Sequence, residues 1–143
     1  MTKDEYIFIR DYAWKILTIS KVDKLPIDWS KICQKFDLEN ILTDHIDQTE
    51  IYSTGLIISK ELLKQIGLKD NDENSKALCV RIMSPLIILD KMNIQSATEL
   101  SKITGLPYVI ANKRFERLKE KSSTIGMSSM ETAVLNTFFS HEG

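Results

Sequence analysis

Hydrophobic residues recur at intervals of three and four along most of this chain, the spacing that places them on one face of an α-helix. The first such stretch covers residues 4–20, where apolar side chains alternate in this way with charged ones. Pro26 then interrupts the pattern, and Asp28 is a residue type that caps the beginning of helices. We therefore predict a first helix over residues 4–20 and a second from Trp29 to Phe36.

The helical spacing is lost between residues 37 and 58, where β-branched and aromatic residues gather in short runs. These runs are Ile41-Leu42 and Ile51 to Ile58, and residues of this kind favour extended strands. Two short strands are the most that this segment supplies. The resulting prediction is an α+β fold that is mostly α-helical, namely a helical bundle with a small residual β-hairpin or sheet.

Helical spacing returns after residue 58, divided by residues that start and stop helices. Ser59 is predicted to cap a helix that Gly67 ends, and Pro85 to bend or restart a later one. The helices predicted here are Ser59 to Ile66, Asn74 to Met92, Ala97 to Thr104 with Ser96 as its cap, Pro107 to Lys121 and Met130 to Phe139. We find no linker or repeat and predict one domain over residues 1–143, with helices in 1–36, short strands in 37–58 and helices in 59–143.

The composition is that of an ordinary soluble globular protein, with 43% hydrophobic and 27% charged residues and a formal net charge of −1. So small a charge argues against strong non-specific attraction to nucleic acid. The N-terminus lacks the apolar core of a signal peptide, and no apolar run approaches the ~18 residues that a membrane span needs. Cys33 and Cys79 lie within apolar helical patterns, which favours reduced, buried thiols. We expect a cytoplasmic protein.

Charge is distributed unevenly, with one acidic segment and one basic segment. The acidic residues between positions 37 and 50, where no Lys or Arg occurs, are Asp37, Glu39, Asp44, Asp47 and Glu50. Two interpretations of them stay open. They form a solvated loop, or they imitate a phosphate backbone and occupy a basic nucleic-acid channel on a partner protein.

The basic segment, residues 96–121, has the proportions of a helix-turn-helix, with a capped helix, a glycine turn and a second helix. Lys113, Arg114 and Arg117 on the second helix are candidates for contacts with DNA or with a partner. The alternative is that this helix pair closes the hydrophobic core, for which it carries enough apolar side chains.

Several blocks of the chain resemble the ImmA/IrrE family of zinc metallopeptidases, in the version common in prophages and mobile elements of Firmicutes. Residues 11–17 followed by 25–28 are similar to the opening helix and proline turn of that family. Residues 77–85 (ALCVRIMSP) resemble its post-catalytic helix. The blocks 96–106, 111–118 and 129–135 resemble its C-terminal helices, in the same order. The resemblance implies a zincin-like scaffold whose central sheet is cut short.

The resemblance also locates the zinc site of the family, an H-E-x-x-H helix with a downstream acidic ligand. It assigns the two histidine positions to Lys60 and Lys64, the glutamate to Glu61 and the third ligand to Asn74. A protonated lysine has no free lone pair and cannot bind Zn²⁺, and no H-E-x-x-H occurs anywhere in the chain. We therefore expect neither peptidase activity nor a metal cofactor; the lysines and Glu61 are interpreted as ion pairs on a helix surface.

The sequence-based hypothesis is a catalytically inactive, peptidase-like protein of phage or mobile-element origin. It would act stoichiometrically by binding a protein partner, a host or phage regulator or defence protein. An anti-defence role such as inhibition of a CRISPR effector is one version of this hypothesis. The alternative function is a small DNA-binding transcriptional regulator that uses residues 96–121.

Overall fold

The structure of the protein, a computed structural model, describes residues 2–44, 51–121, 133–134 and 136–138. Over these residues the chain forms helices and loops and contains no strand. The helices are α1 (Lys3–Ile19), α2 (Trp29–Lys35), α3 (Glu39–Asp44), α4 (Ile51–Gln65), α5 (Asp72–Met83), α6 (Leu86–Lys91), α7 (Ala97–Thr104) and α8 (Tyr108–Lys121). Residues 133–134 and 136–138, within the predicted final helix, are also helical.

The prediction of an α+β fold is wrong, because both predicted strands lie in helices. Residues 41 and 42 belong to α3, and residues 51–58 form the first half of α4. The buried residues of α4 recur at helical spacing: Gly55, Ile58, Ser59, Leu62 and Leu63. Packing of this apolar face outweighs the weak strand preference of the β-branched residues before it. Ser59 is thus a buried residue in the middle of a helix and not its N-cap.

Helix α5 lies at the centre of the packing, with α1 on one side and α4 on another. Gly55 makes the close approach of α4 possible. A Cβ atom at this position would lie 2.4 Å from Cζ2 of Trp29 and 2.8 Å from Sγ of Cys79, well inside van der Waals contact. The indole of α2 and the thiol of α5 therefore occupy the space that any larger residue would need.

Several helix boundaries are confirmed where the sequence carries a capping residue. The carboxylate of Asp28 accepts a hydrogen bond from the backbone N–H of Ser30 (3.0 Å) at the start of α2. Ser96 Oγ accepts one from the N–H of Glu99 (3.1 Å) at the start of α7. The predicted break at Pro85 is also confirmed, because α5 ends at Met83 and Pro85 is the N-cap of α6.

The C-terminal helices form a second packed pair. Gly105 ends α7 with a φ of 80°, a left-handed conformation that glycine adopts without strain. The turn lets α8 fold back against α7, and α6 also contacts α8. Helix α8 thereby reaches the C-terminal end of α5, where Arg114 bonds Ser84, and Arg117 of α8 bonds Tyr6 of α1.

Candidate functional site

The two positions that the resemblance assigns to zinc-binding histidines lie on the solvent side of α4. Lys60 is exposed, and Lys64 Nζ lies 3.2 Å from Glu61 Oε1 and 3.8 Å from Asp70 Oδ2. The pair between Lys64 and Glu61 is one of the surface ion pairs that the sequence predicts, whereas the contact with Asp70 was not predicted. Pairs of this kind stabilise a protein by at most about 1 kcal/mol. The apolar face of α4 points the other way, into the core.

Asn74, the position assigned to the third ligand, is buried in α5. Its side-chain Nδ2 donates to the carbonyl oxygen of Lys69 (3.0 Å), and its backbone N–H donates to Oδ1 of Asn71 (2.8 Å). Asn74 therefore holds the loop that leads into α5. Among the residues that the structure describes, no three His, Cys, Asp or Glu side chains lie together as a metal site would require.

The structure describes three of the five acidic candidates. Asp37 and Glu39 are exposed at the start of α3, and Asp37 has a positive φ of 59°. Asp44 ends α3, and nothing is described of its side chain. Asp47 and Glu50 lie outside the described residues.

The three basic candidates of α8 have different environments. Lys113 is exposed, Arg117 is half-buried and Arg114 is only 8% exposed. Three side chains that enter a DNA groove together would all need to reach solvent. Only Lys113 is fully free to do so, and the two arginines instead face a concavity in the protein.

This concavity lies between α1, α5 and α8 and has a volume of about 330 Å³. Tyr6 of α1, Arg81 of α5, and Arg114 and Arg117 of α8 line it, and we name it the arginine pocket. Its further lining residues are three half-buried apolar side chains and three exposed charged ones: Ala77, Val80, Ile110, Glu73, Lys76 and Lys113. Five basic side chains therefore meet a single carboxylate in this pocket.

Arg114 is held by the C-terminal end of α5. Its Nε donates to the carbonyl oxygen (3.0 Å) and to Oγ (2.9 Å) of Ser84, and its Nη2 donates to the same carbonyl oxygen (2.8 Å). Ser84 is the C-cap of α5, where unpaired carbonyl groups favour a cation. Nη1 of Arg114 has no hydrogen-bond partner among the described residues.

Tyr6 lies between the other two arginines. Arg117 Nη2 donates to its hydroxyl oxygen (2.8 Å), and the guanidinium carbons of Arg81 and Arg117 lie 4.3 Å and 5.5 Å from the ring centroid. Burial acts to raise the pKa of Tyr6. Hydrogen bonding and positive charge from Arg81 and Arg117 outweigh it and lower the pKa to about 8.

Few carboxylates in the described part of the chain balance the positive charge of the pocket: Glu73 lines it, and Glu120 Oε2 lies 3.8 Å from Arg117 Nη1. No described Asp or Glu forms an ion pair with Arg81 or Arg114, and Arg81 Nε is buried without a hydrogen-bond partner. Burial, together with the charges of Arg81 and Arg117, lowers the pKa of Arg114 to about 9. Arg114 therefore stays protonated at pH 7, and the pocket has the donors and the charge to bind an anion.

Sequence reasoning named Arg114 as a binding candidate without predicting its burial, and it did not single out Tyr6, Arg81 or Ser84. A signal for Arg114 was present, since it shares the spacing of the buried residues Ala111 and Leu118 on α8. An arginine within an apolar stripe has to find hydrogen-bond acceptors inside the protein. Nothing local in the sequence shows that Tyr6, more than 100 residues away, lies beside it.

Both cysteines are free thiols buried in the core, as predicted. Burial is the main cause that raises the pKa of Cys33, to about 11, and it also raises the pKa of Cys79. Neither thiol lines the arginine pocket. Within the described residues, no helix is long and apolar enough to cross a membrane.

Comparison with known proteins assigns no relative to this chain. No family model, no curated protein and no solved structure matches it. The resemblance to ImmA/IrrE peptidases therefore stays a prediction, and the functional argument depends on the arginine pocket.

Proposed function

We propose that this protein acts by stoichiometric binding and not by catalysis, and that it holds an anionic group of a protein partner in the arginine pocket. The observation that carries the proposal is Arg114, a buried residue whose Nη1 has no hydrogen-bond partner within residues 2–44 and 51–121, with two further arginines beside it. The resemblance suggests a host or phage regulator or defence protein as the partner. Two buried, reduced thiols support a cytoplasmic location for this activity.

The electrostatic environment of Arg114 supports an anionic ligand. A charge removed from water loses several kcal/mol of solvation, which an oppositely charged neighbour can restore. Arg114 has instead a carbonyl group for a partner and two cations as neighbours. An anion bound among Arg81, Arg114 and Arg117 would reduce their mutual repulsion and accept the hydrogen bonds that the protein leaves unused.

The alternative function, DNA binding by α7 and α8, draws less support from the geometry. Arg114 bonds the end of α5 and Arg117 bonds Tyr6, so the arginines face the protein. A duplex would meet Lys113 but not all three side chains. Binding of duplex DNA that falls steeply with salt and that charge reversal at Lys113 weakens would favour the alternative. No duplex binding at low salt would exclude it.

The proposal is tested by the effect of anions on unfolding of the full chain at constant ionic strength. A ligand that binds only the folded state adds RT ln(1 + [L]/Kd), about 2.7 kcal/mol at 100 times Kd. We expect acetate, citrate, sulfate or phosphate to raise the free energy of unfolding above its value in chloride. The rise should be lost in Arg117→Gln and retained in Lys102→Gln, a matched charge removal at an exposed site of α7 outside the pocket.

The proposal fails if none of these anions stabilises the protein, or if Arg117→Gln and the unsubstituted chain respond equally. The non-catalytic part has a separate test, which is metal analysis after purification. Stoichiometric zinc that is lost in Glu61→Gln or Asn74→Ala would overturn it.

A further inference from the structure

We infer that the arginine pocket is built for a phosphate monoester carried on an apolar or aromatic group. This inference depends on the proposed function and makes it more specific, since it names the chemistry of the anion. Three features of the pocket support it: the number of unused hydrogen-bond donors, the number of cations, and the apolar wall that Ala77, Val80 and Ile110 form beside them.

The donors of the pocket exceed what a carboxylate can accept with its two oxygens. Of the five N–H donors of a guanidinium, Arg114 uses Nε–H and one Nη2–H on Ser84. Both Nη1 donors and one Nη2 donor have no acceptor among the described residues. The hydroxyl of Tyr6 accepts from Arg117, so its own O–H is also available. A phosphate monoester offers three strong acceptor oxygens to such a set.

The charge of the pocket also fits a dianion. The guanidinium carbons of Arg81 and Arg117 lie 4.3 Å and 5.5 Å from the ring centroid of Tyr6. The charges of these two arginines also repel that of Arg114. A phosphate monoester carries about −1.5 to −2 charges at pH 7, whereas a carboxylate or a phosphodiester carries only one. A monoanion would leave more of the repulsion between the guanidinium groups in place.

The apolar wall indicates what carries the phosphate. Ala77, Val80 and Ile110 line the same pocket as the ring of Tyr6, and each is half-buried. An apolar or aromatic body would cover this wall while its phosphate meets the arginines. The volume of about 330 Å³ is at the lower end of the range for small-ligand sites.

The inference is tested by calorimetric titration of the full chain at pH 7 and constant ionic strength. The probes are phenyl phosphate, benzoate as the matched carboxylate, and methyl phenyl phosphate as the matched diester. We expect phenyl phosphate to bind at least about 10-fold more tightly than either control, since one additional charge-assisted hydrogen bond contributes about 1.5–3 kcal/mol.

Substitutions locate the binding. Arg81→Gln and Arg117→Gln should each weaken phenyl phosphate binding by about 10- to 100-fold, while Lys102→Gln should change it less than about 3-fold. Tyr6→Phe keeps the ring and removes only the O–H donor, so a folded variant is available even if an arginine variant does not fold. We expect it to weaken binding by about 2- to 10-fold.

Two further probes distinguish the source of the phosphate. N-acetyl-O-phosphotyrosine amide represents a phosphorylated side chain of a partner, and adenosine 5′-monophosphate represents a nucleotide. Tighter binding of either than of phenyl phosphate supports the inference and identifies the source.

Equal or tighter binding of benzoate overturns the inference while the proposed function survives, because an anion still binds. Phenyl phosphate binding that is unchanged in all three pocket variants also overturns it. If none of the anions binds, the proposed function is refuted as well.

Discussion

The contact of Gly55 with its neighbours predicts that even the smallest side chain at this position destabilises the protein. The perturbation is Gly55→Ala in the middle of α4. The new Cβ atom would lie 2.4 Å from Cζ2 of Trp29 and 2.8 Å from Sγ of Cys79. Carbon atoms in favourable contact lie about 3.5–4.0 Å apart, so the helices or the indole have to move by about 1 Å.

Little room exists for that movement, because Trp29 is 4% exposed and Cys79 is fully buried. Overpacking of a dense core costs about 1–3 kcal/mol, and alanine recovers up to about 1 kcal/mol through its better helix propensity. Because both neighbours lie closer than 3 Å to the added Cβ, we expect a cost of about 2–3 kcal/mol and a net destabilisation of about 1–2 kcal/mol. Without the contact, the same substitution would stabilise a helix interior.

The assay is urea-induced unfolding followed by circular dichroism, with Lys60→Ala on the exposed face of α4 as the control. The control should stay within about 0.5 kcal/mol of the unsubstituted protein. Trp29→Phe removes part of the ring that the methyl group meets, so Gly55→Ala should cost less in that background than alone. A Gly55→Ala protein as stable as the unsubstituted one, or more stable, would refute the close approach of α4.

Three further predictions concern the pocket and the α7–α8 turn. The pKa of Tyr6 is lowered to about 8 in the folded state. Its ionisation should therefore add nothing to the stability well below pH 8 and stabilise the fold increasingly as the pH rises from 8 to 10. Between pH 7 and 9.5, the urea midpoint of Tyr6→Phe should rise less than that of the unsubstituted protein. Ionised Tyr6 would oppose an anion among the charges of Arg81, Arg114 and Arg117, with Glu73 and the nearby lysines also lining the pocket. The affinity for phenyl phosphate should therefore fall above pH 8, and a fall of equal size in Tyr6→Phe would contradict this assignment. Gly105→Ala should destabilise the protein more than Gly67→Ala in urea unfolding. Both glycines have a positive φ, but only a Cβ at Gly105 would overlap a neighbour, Cδ1 of Ile51. Equal losses of stability would show that Ile51 moves away at no cost in free energy.

The local signals in the sequence were reliable where one residue type decides the outcome. Asp28 and Ser96 cap helices, Pro85 separates α5 from α6, and Gly105 ends α7, all as predicted. Each of these outcomes depends on hydrogen bonds or dihedral angles within a few residues. Such interactions are nearly independent of the rest of the fold.

The strand prediction failed because it relied on a local preference that packing overrides. Residues 51–58 contain β-branched residues and a glycine, which together favour a strand or a turn. In the structure the same glycine is the point at which α4 passes close to α2 and α5. Strand propensities span only ~1 kcal/mol, and burial of Ile58 and Leu62 exceeds that amount.

The candidate site likewise combines features that the sequence determines with features that only the packing of the helices determines. The sequence by itself determined most helix boundaries, the absence of an H-E-x-x-H motif and the presence of Lys113, Arg114 and Arg117 on one helix. Only the tertiary structure decided that Arg114 is buried against Ser84, since that contact joins residues 30 positions apart. It also brought Tyr6 to Arg117 across 111 positions. Charge and hydrogen-bonding capacity belong to single residues, but a binding site requires them to converge, and that convergence depends on how α1, α5 and α8 pack.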